Sequence, residues 1–456
     1  MEKKTLFALI AVAILGAGAF AVMRAPEKGQ RVGPPPRPVA EIKPADIAHL
    51  ELVSEKQDKV VLDKKGDKWS ITSPKEWAAD AAGVKSLVDG LEKLGFHDMV
   101  TETKEKHEEL GVADGKAQRV TVKNATGTLL ADFFVGKSVS GYTMVRPAGK
   151  NEVWQANGIY AYMINRDAKG WRDHSVFEFA AVDGDKLSIE GAGGKLAVEK
   201  LPPEKDAKGD AKWTVTEATG DAPKTSDALD LGQVNGAVQA FSTLKAADFA
   251  DDKKPEDVGL AKPALTLTAS AKGKSYTLLI GNTVGDDVYL KTAESPIIYT
   301  VKKFTAERLQ HAPIDYRDKT LTKIKDIDLA GLDITVGADT VSLEHAGDKW
   351  KAKGKTTVDD TKLKPVVSGF ENLVGSGFAA SKDPAATGLA KPAGSVVLHL
   401  KDKSTVILKI GAATKDGADY HVQKLGSPDV LLVKKYNVER FWKKAADLAP
   451  AATAKK

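Results

Sequence analysis

The feature that most constrains this chain is a hexapeptide that occurs twice. GLAKPA is found at Gly259–Ala264 and again at Gly388–Ala393, 129 positions apart. A chance recurrence of six residues is improbable in a chain of 456 residues. The repeat therefore indicates internal copies of one structural unit, and internal repeats decide an architecture before any local pattern does.

When the chain is aligned on the GLAKPA repeat, three similar units appear. Each unit opens with two short segments in which apolar and polar residues alternate. The apolar residues of the first segments are Leu50 and Leu52, Leu187 and Ile189, and Leu332 and Ile334. Alternating runs separated by a turn are typical of a β-hairpin with one buried face. The sequence therefore predicts that each unit begins with such a hairpin.

A tryptophan follows the hairpin in every unit, at Trp69, Trp213 and Trp350. Three recurrent indoles could form a ligand cage, or each could anchor the core of its own unit. Large aromatic side chains dominate core burial, which favours the second interpretation.

An amphipathic helix comes next. The apolar residues of the first helix are Val84, Leu87, Val88, Leu91 and Leu94, and those of the third, with the same spacing, are Leu363, Val366, Val367, Phe370 and Leu373. In the second helix Leu231, Val234, Val238 and Phe241 stand at the matching positions, with Asn235 at the remaining one. This spacing is typical of one apolar helical stripe. The predicted N-caps are Asp80, Ser226 or Asp227, and Asp359 or Asp360.

Two sets of recurrent glycines follow the amphipathic helices. One set marks a turn and the other marks the end of a strand. Short polar helices are predicted to stop at Gly111, Gly259 and Gly388, because glycine accepts the left-handed conformation that closes a helix. An apolar strand ends at Gly136, Gly281 and Gly411. A terminal helix closes each unit, and these helices align at Arg166, Arg308 and Arg440.

The resulting fold class is α+β, with an N-terminal transmembrane helix followed by three tandem homologous domains of antiparallel sheet and packed helices. The predicted organisation is an anchor or signal at 1–24, a proline-rich linker at 25–44, repeats at 41–176, 177–322 and 323–448, and a disordered tail at 449–456. Each repeat is long enough for a core of its own.

The N-terminus predicts the compartment. Lys3 and Lys4 precede an uncharged run, Thr5–Met23, close to the roughly 20 residues that span a bilayer. The apolar anchor residues are Leu6, Phe7, Leu9, Ile10, Val12, Ile14, Leu15, Phe20 and Val22. The alternative is a signal peptide cleaved after Ala21. Because the run is long, we expect a single-pass anchor in the inner membrane, with the bulk of the chain in the periplasm.

Composition and motifs predict no catalytic residue, cofactor or metal. The chain has no cysteine, and its net charge of +5 is too dispersed for nucleic-acid binding. The histidines lack local zinc spacing. Lys137 and Ser138 follow Gly136 as in a phosphate-binding loop, but Ala131 stands where that motif requires glycine.

These features together resemble a family of exported bacterial proteins known as domain of unknown function 4340. The resemblance rests on the apolar run Thr5–Met23, the three tryptophans, the amphipathic helices and the two sets of glycines, and it covers nearly all of Glu41–Leu448. Gly111, in the divergent ELGVADG, is the weakest match. The resemblance implies no known catalytic residues and an association with gliding-motility-type ABC transporter auxiliary components.

We therefore expect a non-enzymatic, membrane-anchored scaffold or accessory subunit with protein partners in an envelope complex. No small-molecule ligand can be assigned from the sequence. Two alternatives stay open: a secreted protein that binds a glycan or another polymer, and a hydrolase whose carboxylates meet between domains.

Overall fold

The computed structural model describes residues 37–201, 212–346, 349–353 and 358–450. These residues form two compact units that divide after His174, two residues before the predicted end of the first repeat. The predicted second and third repeats both lie in the second unit. The predicted anchor lies outside the described residues, and no helix within them is long and apolar enough to cross a bilayer.

The first unit contains one sheet of nine strands. The strands are β1 (His49–Val53), β2 (Lys59–Lys65), β3 (Lys68–Ser73), β4 (Trp77–Ala78), β5 (Gly95–Thr101), β6 (Gln118–Lys123), β7 (Leu129–Val139), β8 (Tyr142–Pro147) and β9 (Val153–Asn157). Helix α1 (Ala81–Glu92) lies between β4 and β5, and helix α2 (Ala161–Ile164) follows β9. The 3₁₀ turns are Pro44–Asp46 and Lys104–Lys106.

The second unit contains two further large sheets. The strands of the second sheet are β10 (Gly184–Gly191), β11 (Gly194–Lys200), β12 (Trp213–Ala218), β13 (Asp248–Phe249), β14 (Leu265–Ala271), β15 (Lys274–Val284), β16 (Asp287–Thr292) and β17 (Ile298–Lys302). Helix α3 (Leu231–Ser242) separates β12 from β13, and helix α4 (Lys303–Ala306) follows β17. The 3₁₀ turns are Ala181–Asp183, Ser226–Ala228 and Pro313–Tyr316.

The third sheet follows a short strand, β18 (Thr320–Thr322), that pairs with β22 (Leu373–Val374). Its strands are β19 (Leu329–Val336), β20 (Asp339–Ala346), β21 (Lys349–Ala352), β23 (Gly377–Phe378), β24 (Gly394–Leu400), β25 (Thr405–Ala413), β26 (Asp419–Lys424) and β27 (Leu431–Lys434). Helix α5 (Asp360–Ser368) precedes β22. Helices α6 (Lys435–Phe441) and α7 (Ala445–Leu448) end the described chain, and Asp326–Asp328 is a 3₁₀ turn.

All three sheets have the same strand order and pair antiparallel throughout. The order is β3-β2-β1-β6-β7-β8-β9-β5 in the first sheet, where β4 extends the β3 edge, β12-β11-β10-β14-β15-β16-β17-β13 in the second and β21-β20-β19-β24-β25-β26-β27-β23 in the third. In each, the chain leaves one edge, forms a helix, and re-enters at the opposite edge. The predicted combination of antiparallel sheets with few helices is confirmed.

The amphipathic helices cover the apolar faces of the sheets. The predicted stripes are confirmed within α1, where Val84, Leu87 and Leu91 are buried, and within α5, where Leu363, Val366 and Val367 are buried. Both helices end earlier than predicted, since Leu94, Phe370 and Leu373 lie beyond them. One apolar face on each helix is enough to join it to a sheet core, because burial of that face is the main source of helical stability in proteins.

The predicted apolar stripe of the second helix is confirmed at Val234, Val238 and Phe241 and is wrong at Leu231. Helix α3 buries Val234, Ala237, Val238 and Phe241, whereas Leu231 is exposed as the first helical residue. Its N-cap is Asp230, whose Oδ1 accepts a hydrogen bond from the Gln233 amide at 3.0 Å. The predicted caps, Ser226 and Asp227, form a separate 3₁₀ turn. Leu231 is predicted as the first core position of this helix, but the buried stripe begins three residues later, at Val234, and includes Ala237.

Two other predictions change in detail. Val39 and Ile42, in the predicted linker, are buried in the core of the first unit. The polar helices predicted before Gly259 and Gly388 are hydrogen-bonded turns, and the one before Gly111 is reduced to the 3₁₀ turn Lys104–Lys106 followed by further turns. A left-handed glycine can close such a turn as readily as a helix.

Candidate functional site

The two sets of recurrent glycines meet in the structure. Gly111, Gly259 and Gly388 have φ values of +75°, +74° and +71°. Gly136, Gly281 and Gly411 lie in β7, β15 and β25, each within a shift of the strand register. Each strand glycine faces the carbonyl oxygen of the residue before the turn glycine, which is Leu110, Val258 or Thr387. These six glycines therefore hold a turn on a strand, which is a structural role.

Each of the three recurrent tryptophans packs against the core of its own sheet. Trp213 is buried, with 3% of its surface exposed, and its Nε1 donates to Asn235 Oδ1 at 2.9 Å. Trp69 and Trp350 are partly buried against their own cores. They do not form a shared cage within any one sheet.

The strongest polar network lies across the strands of the first sheet. Glu51 on β1 accepts from Lys123 at 2.6 Å and pairs with Lys59 at 2.6 Å, and the two ammonium groups lower the pKa of its carboxyl to about 2. His49 is bonded to Asp63 at 2.6 Å. Asp333 and His399, 2.7 Å apart, form a similar cross-strand pair in the third sheet. Such pairs stabilise sheets and need no catalytic explanation.

The described residues contain no group of three or more histidine or carboxylate side chains arranged to hold a metal ion. Lys137 and Ser138 lie at the exposed end of β7, where Gly136 is a strand residue.

Three buried residues that the sequence did not single out accept backbone hydrogen bonds from the N-caps of the amphipathic helices. The amides of the N-cap residues Asp80, Asp230 and Asp359 donate to the carbonyls of Trp171, Tyr316 and Leu448 at 2.8, 2.8 and 2.9 Å. All three acceptor residues are at most 1% exposed, and burial raises the pKa of the Tyr316 phenol. The available signal was a large apolar or aromatic residue a few turns after the end of each terminal helix, and the unequal spacing from the helix end hid it.

The divergent turn of the first unit is held by a buried arginine. Arg146 on β8 is 2% exposed and donates to the carbonyls of Val112 and Lys150 at 2.9 and 2.8 Å. Its Nη2 bonds Asp114 Oδ1 at 2.7 Å, and the guanidinium stacks 4.2 Å from the centre of the Phe134 ring. Residues 111–117 lack the proline of GLAKPA, and the hydrogen bonds from Arg146 to Val112 and Asp114 hold this turn instead.

The feature with the clearest functional character is an exposed aromatic ring that recurs in every sheet. Tyr162, Phe304 and Tyr436 are 71%, 69% and 70% exposed. Each is the second residue of the terminal helix, α2, α4 or α6, and precedes the aligned arginine by four positions. Three equivalent rings facing solvent have no role in a core, and aromatic side chains are enriched at protein interfaces.

We call the start of the terminal helix, together with the strand turn next to it, the terminal corner. Hydrogen bonds hold this corner in the second sheet. In the second sheet the Lys303 amide donates to the Asp286 carbonyl at 2.8 Å, and Lys302 bonds Asp287 at the same distance. The β15–β16 turn and the helix therefore hold each other in place. Val284, near this turn, is also exposed, at 61%.

The third sheet has a comparable corner. The Lys435 amide donates to the Ala418 carbonyl at 2.9 Å, and Lys434 bonds Asp419 at 3.1 Å. In the first sheet, Tyr160 stacks on Tyr162 with ring centres 5.8 Å apart. The sequence alignment of the terminal helices used arginine and missed the aromatic position, because tyrosine and phenylalanine at that place look like core residues.

A family model described as a domain of unknown function (DUF4340) matches the chain twice, at residues 69–263 and 213–392. Together the matches cover residues 69–392, which is more than half of the chain. No curated protein and no solved structure matches.

Proposed function

Since the chain belongs to the family of the domain of unknown function (DUF4340), we propose that it is a non-enzymatic scaffold or accessory subunit of a membrane complex. In this proposal the N-terminal run anchors the chain in the inner membrane, and three tandem homologous α+β domains stand in the periplasm. Anchor and compartment rest on the sequence, in Thr5–Met23 and the two lysines before it.

The family matches support the tandem-domain part of this proposal. The first match begins at Trp69 and ends at Pro263, and the second begins at Trp213 and ends at Pro392. Both matches therefore start at the recurrent tryptophan of one sequence repeat and end at the GLAKPA proline of the following repeat. The common strand order of the three sheets agrees with this division.

The exposed ring of the terminal corner is the single observation that carries the binding role. An aromatic side chain held on an ordered backbone loses little conformational entropy on binding, and such anchors dominate the energy of protein interfaces. The exposed fractions of the three rings agree within two percentage points. Because the rings are not buried, core packing does not explain why an aromatic residue recurs at this position. We infer that each corner docks a protein partner, and an accessory role in an ABC-transporter-type complex is one form of this function.

Cross-linking in native membranes tests the proposal. The full-length chain and a variant carrying Tyr162→Ala, Phe304→Ala and Tyr436→Ala are cross-linked, solubilised in detergent, captured and analysed for membrane proteins. We expect one or more partners with the wild-type chain and a loss of at least about tenfold in their yield with the variant.

The matched control replaces Leu129, Leu201 and Leu425 by alanine. These side chains are also exposed, at 55%, 43% and 55%, but they do not recur in the three sheets. Partner yield should stay at the wild-type level. Equal loss in both variants, or no partner captured by the wild-type chain, would contradict docking at the terminal corners.

A further inference from the structure

A cavity of about 280 Å³ lies between β21 and helix α5 in the third sheet. Trp350, Leu363 and Val367 provide its apolar lining. One face of the indole is stacked on His345, with ring centres 4.8 Å apart, so the ring is fixed in orientation. The cavity thus combines an apolar wall with a pre-organised aromatic side chain, as small-molecule sites commonly do.

Comparison with the second sheet shows that the indole donates to a different kind of partner here. There, Trp213 Nε1 donates to Asn235, the fifth residue after the N-cap Asp230. The fifth residue after the N-cap Asp359 is Lys364, whose ammonium group cannot accept a hydrogen bond. Trp350 Nε1 donates instead to Asp326 Oδ1 at 3.1 Å.

Charges of both signs line the same cavity. Asp326, the acceptor of the Trp350 hydrogen bond, is one carboxylate of the lining. Besides Asp326, Lys349 and Lys364 provide two ammonium groups, and Asp360 and Glu371 provide two carboxylates. Asp360 and Lys364 are four residues apart on α5, a spacing that favours an ion pair. Among the described residues, however, none of these four side chains is within 4.0 Å of an opposite charge, whereas Lys85 on α1 does pair with Asp89.

We propose that this cavity binds a small zwitterion with an apolar side chain, such as a free α-amino acid. The carboxylate of the ligand pairs with Lys349 and Lys364, its ammonium with Asp360 and Glu371, and its side chain packs on Trp350. A cavity of this volume admits one such molecule. Binding supplies counterions to four charged groups that have none within 4.0 Å among the described residues, and this site is independent of docking at the terminal corners.

Fluorine NMR of the full-length chain, labelled with 5-fluorotryptophan, tests the proposal. The chain has seven tryptophans, and the resonance of Trp350 is identified by its loss in Trp350→Phe. L-Phenylalanine is the probe. We expect the Trp350 resonance alone to shift and to saturate with a Kd on the order of 1 mM or tighter.

Two analogues test the zwitterionic requirement. Phenethylamine lacks the carboxylate and 3-phenylpropionate lacks the ammonium group, so each should bind at least about tenfold more weakly. Lys364→Gln should weaken phenylalanine binding by a similar factor. The remaining tryptophan resonances report whether each variant is folded.

Lys85→Gln is the matched control, because Lys85 is also the fifth residue after its N-cap, Asp80, in the first unit. It should leave phenylalanine binding unchanged. No shift of the Trp350 resonance at about 20 mM phenylalanine, an equal response to either analogue, or equal weakening by Lys85→Gln would overturn the proposal.

Discussion

The carbonyl oxygen of Val258 lies against Gly281, so close that a Cβ added to this glycine would stand 2.3 Å from it. The amide of the next residue, Asn282, donates to the same carbonyl at 2.8 Å. The turn that contains GLAKPA is thereby fixed on β15. The two glycine motifs, which the sequence shows as separate features, are the two sides of one contact.

Gly281→Ala should lower the free energy of unfolding by at least about 2 kcal/mol, because the new methyl group meets a backbone oxygen that cannot turn away. Gly236→Ala is the control: this glycine is an exposed residue of α3 with nothing within 4 Å of an added Cβ. It should stabilise by roughly 0.5–1 kcal/mol through helix propensity. Urea unfolding followed by tryptophan fluorescence measures both, and a neutral Gly281→Ala would contradict the contact.

Arg146→Met should destabilise the first unit by about 2–4 kcal/mol, because the Val112 and Lys150 carbonyls lose a buried charged donor. Arg119→Met provides the comparison. Arg119 makes a bidentate pair with Asp132, but its side chain is 41% exposed, so about 1 kcal/mol or less is expected. The two variants are compared by denaturant unfolding. Equal losses would show that Arg146 does not order the turn.

Asp230→Ala should cost about 1 kcal/mol, since it removes the acceptor for the Gln233 amide at the start of α3. Asp227→Ala should change the free energy of unfolding by less than about 0.5 kcal/mol, because Asp227 is exposed in the preceding 3₁₀ turn. Thermal or urea unfolding of the two variants decides between the observed helix start and the one predicted from the sequence. The reverse order of losses would favour the latter.

Glu51→Gln should remove part of the acid sensitivity of the first unit. The pKa of Glu51 is lowered to about 2 in the folded chain by Lys123 and Lys59, from an ordinary value of 4.5. Its contribution is therefore fully present above about pH 4.5 and is lost as the pH falls towards 2. Urea midpoints measured from pH 7 to pH 2 should fall less steeply in the variant than in the wild-type chain. Parallel curves would exclude this role.

Tyr436→Ala and Phe441→Ala, two substitutions in α6, should differ strongly in how far they lower the free energy of unfolding. Tyr436 is exposed, so its loss should cost less than about 0.5 kcal/mol, whereas Phe441 is fully buried and its loss should cost about 3–5 kcal/mol. The measurement is urea unfolding of each variant. A large loss for Tyr436→Ala would assign the ring to the fold and weaken its proposed role in docking.

Much of the secondary structure follows from local patterns. Alternation at Leu50 and Leu52 predicted a strand, and the stripe from Leu363 to Leu373 predicted a helix, because strand and helix periods differ and each exposes one apolar face. The helix itself ends at Ser368. The second helix shows the limit of such patterns. Leu231 and Ala237 both fit an apolar stripe, and only packing against the sheet decided that the smaller residue is buried.

The sequence by itself determined the order of elements and the positions of the recurrent tryptophans and glycines, since these depend on period and on backbone conformation. The tertiary structure decided which aromatic residues face solvent. Trp171 is buried and Tyr162, nine residues earlier, is exposed, although both are large and lie in one short segment. The reason is physical: exposure depends on which surface of a segment meets the core, and that surface is defined only when distant strands have assembled.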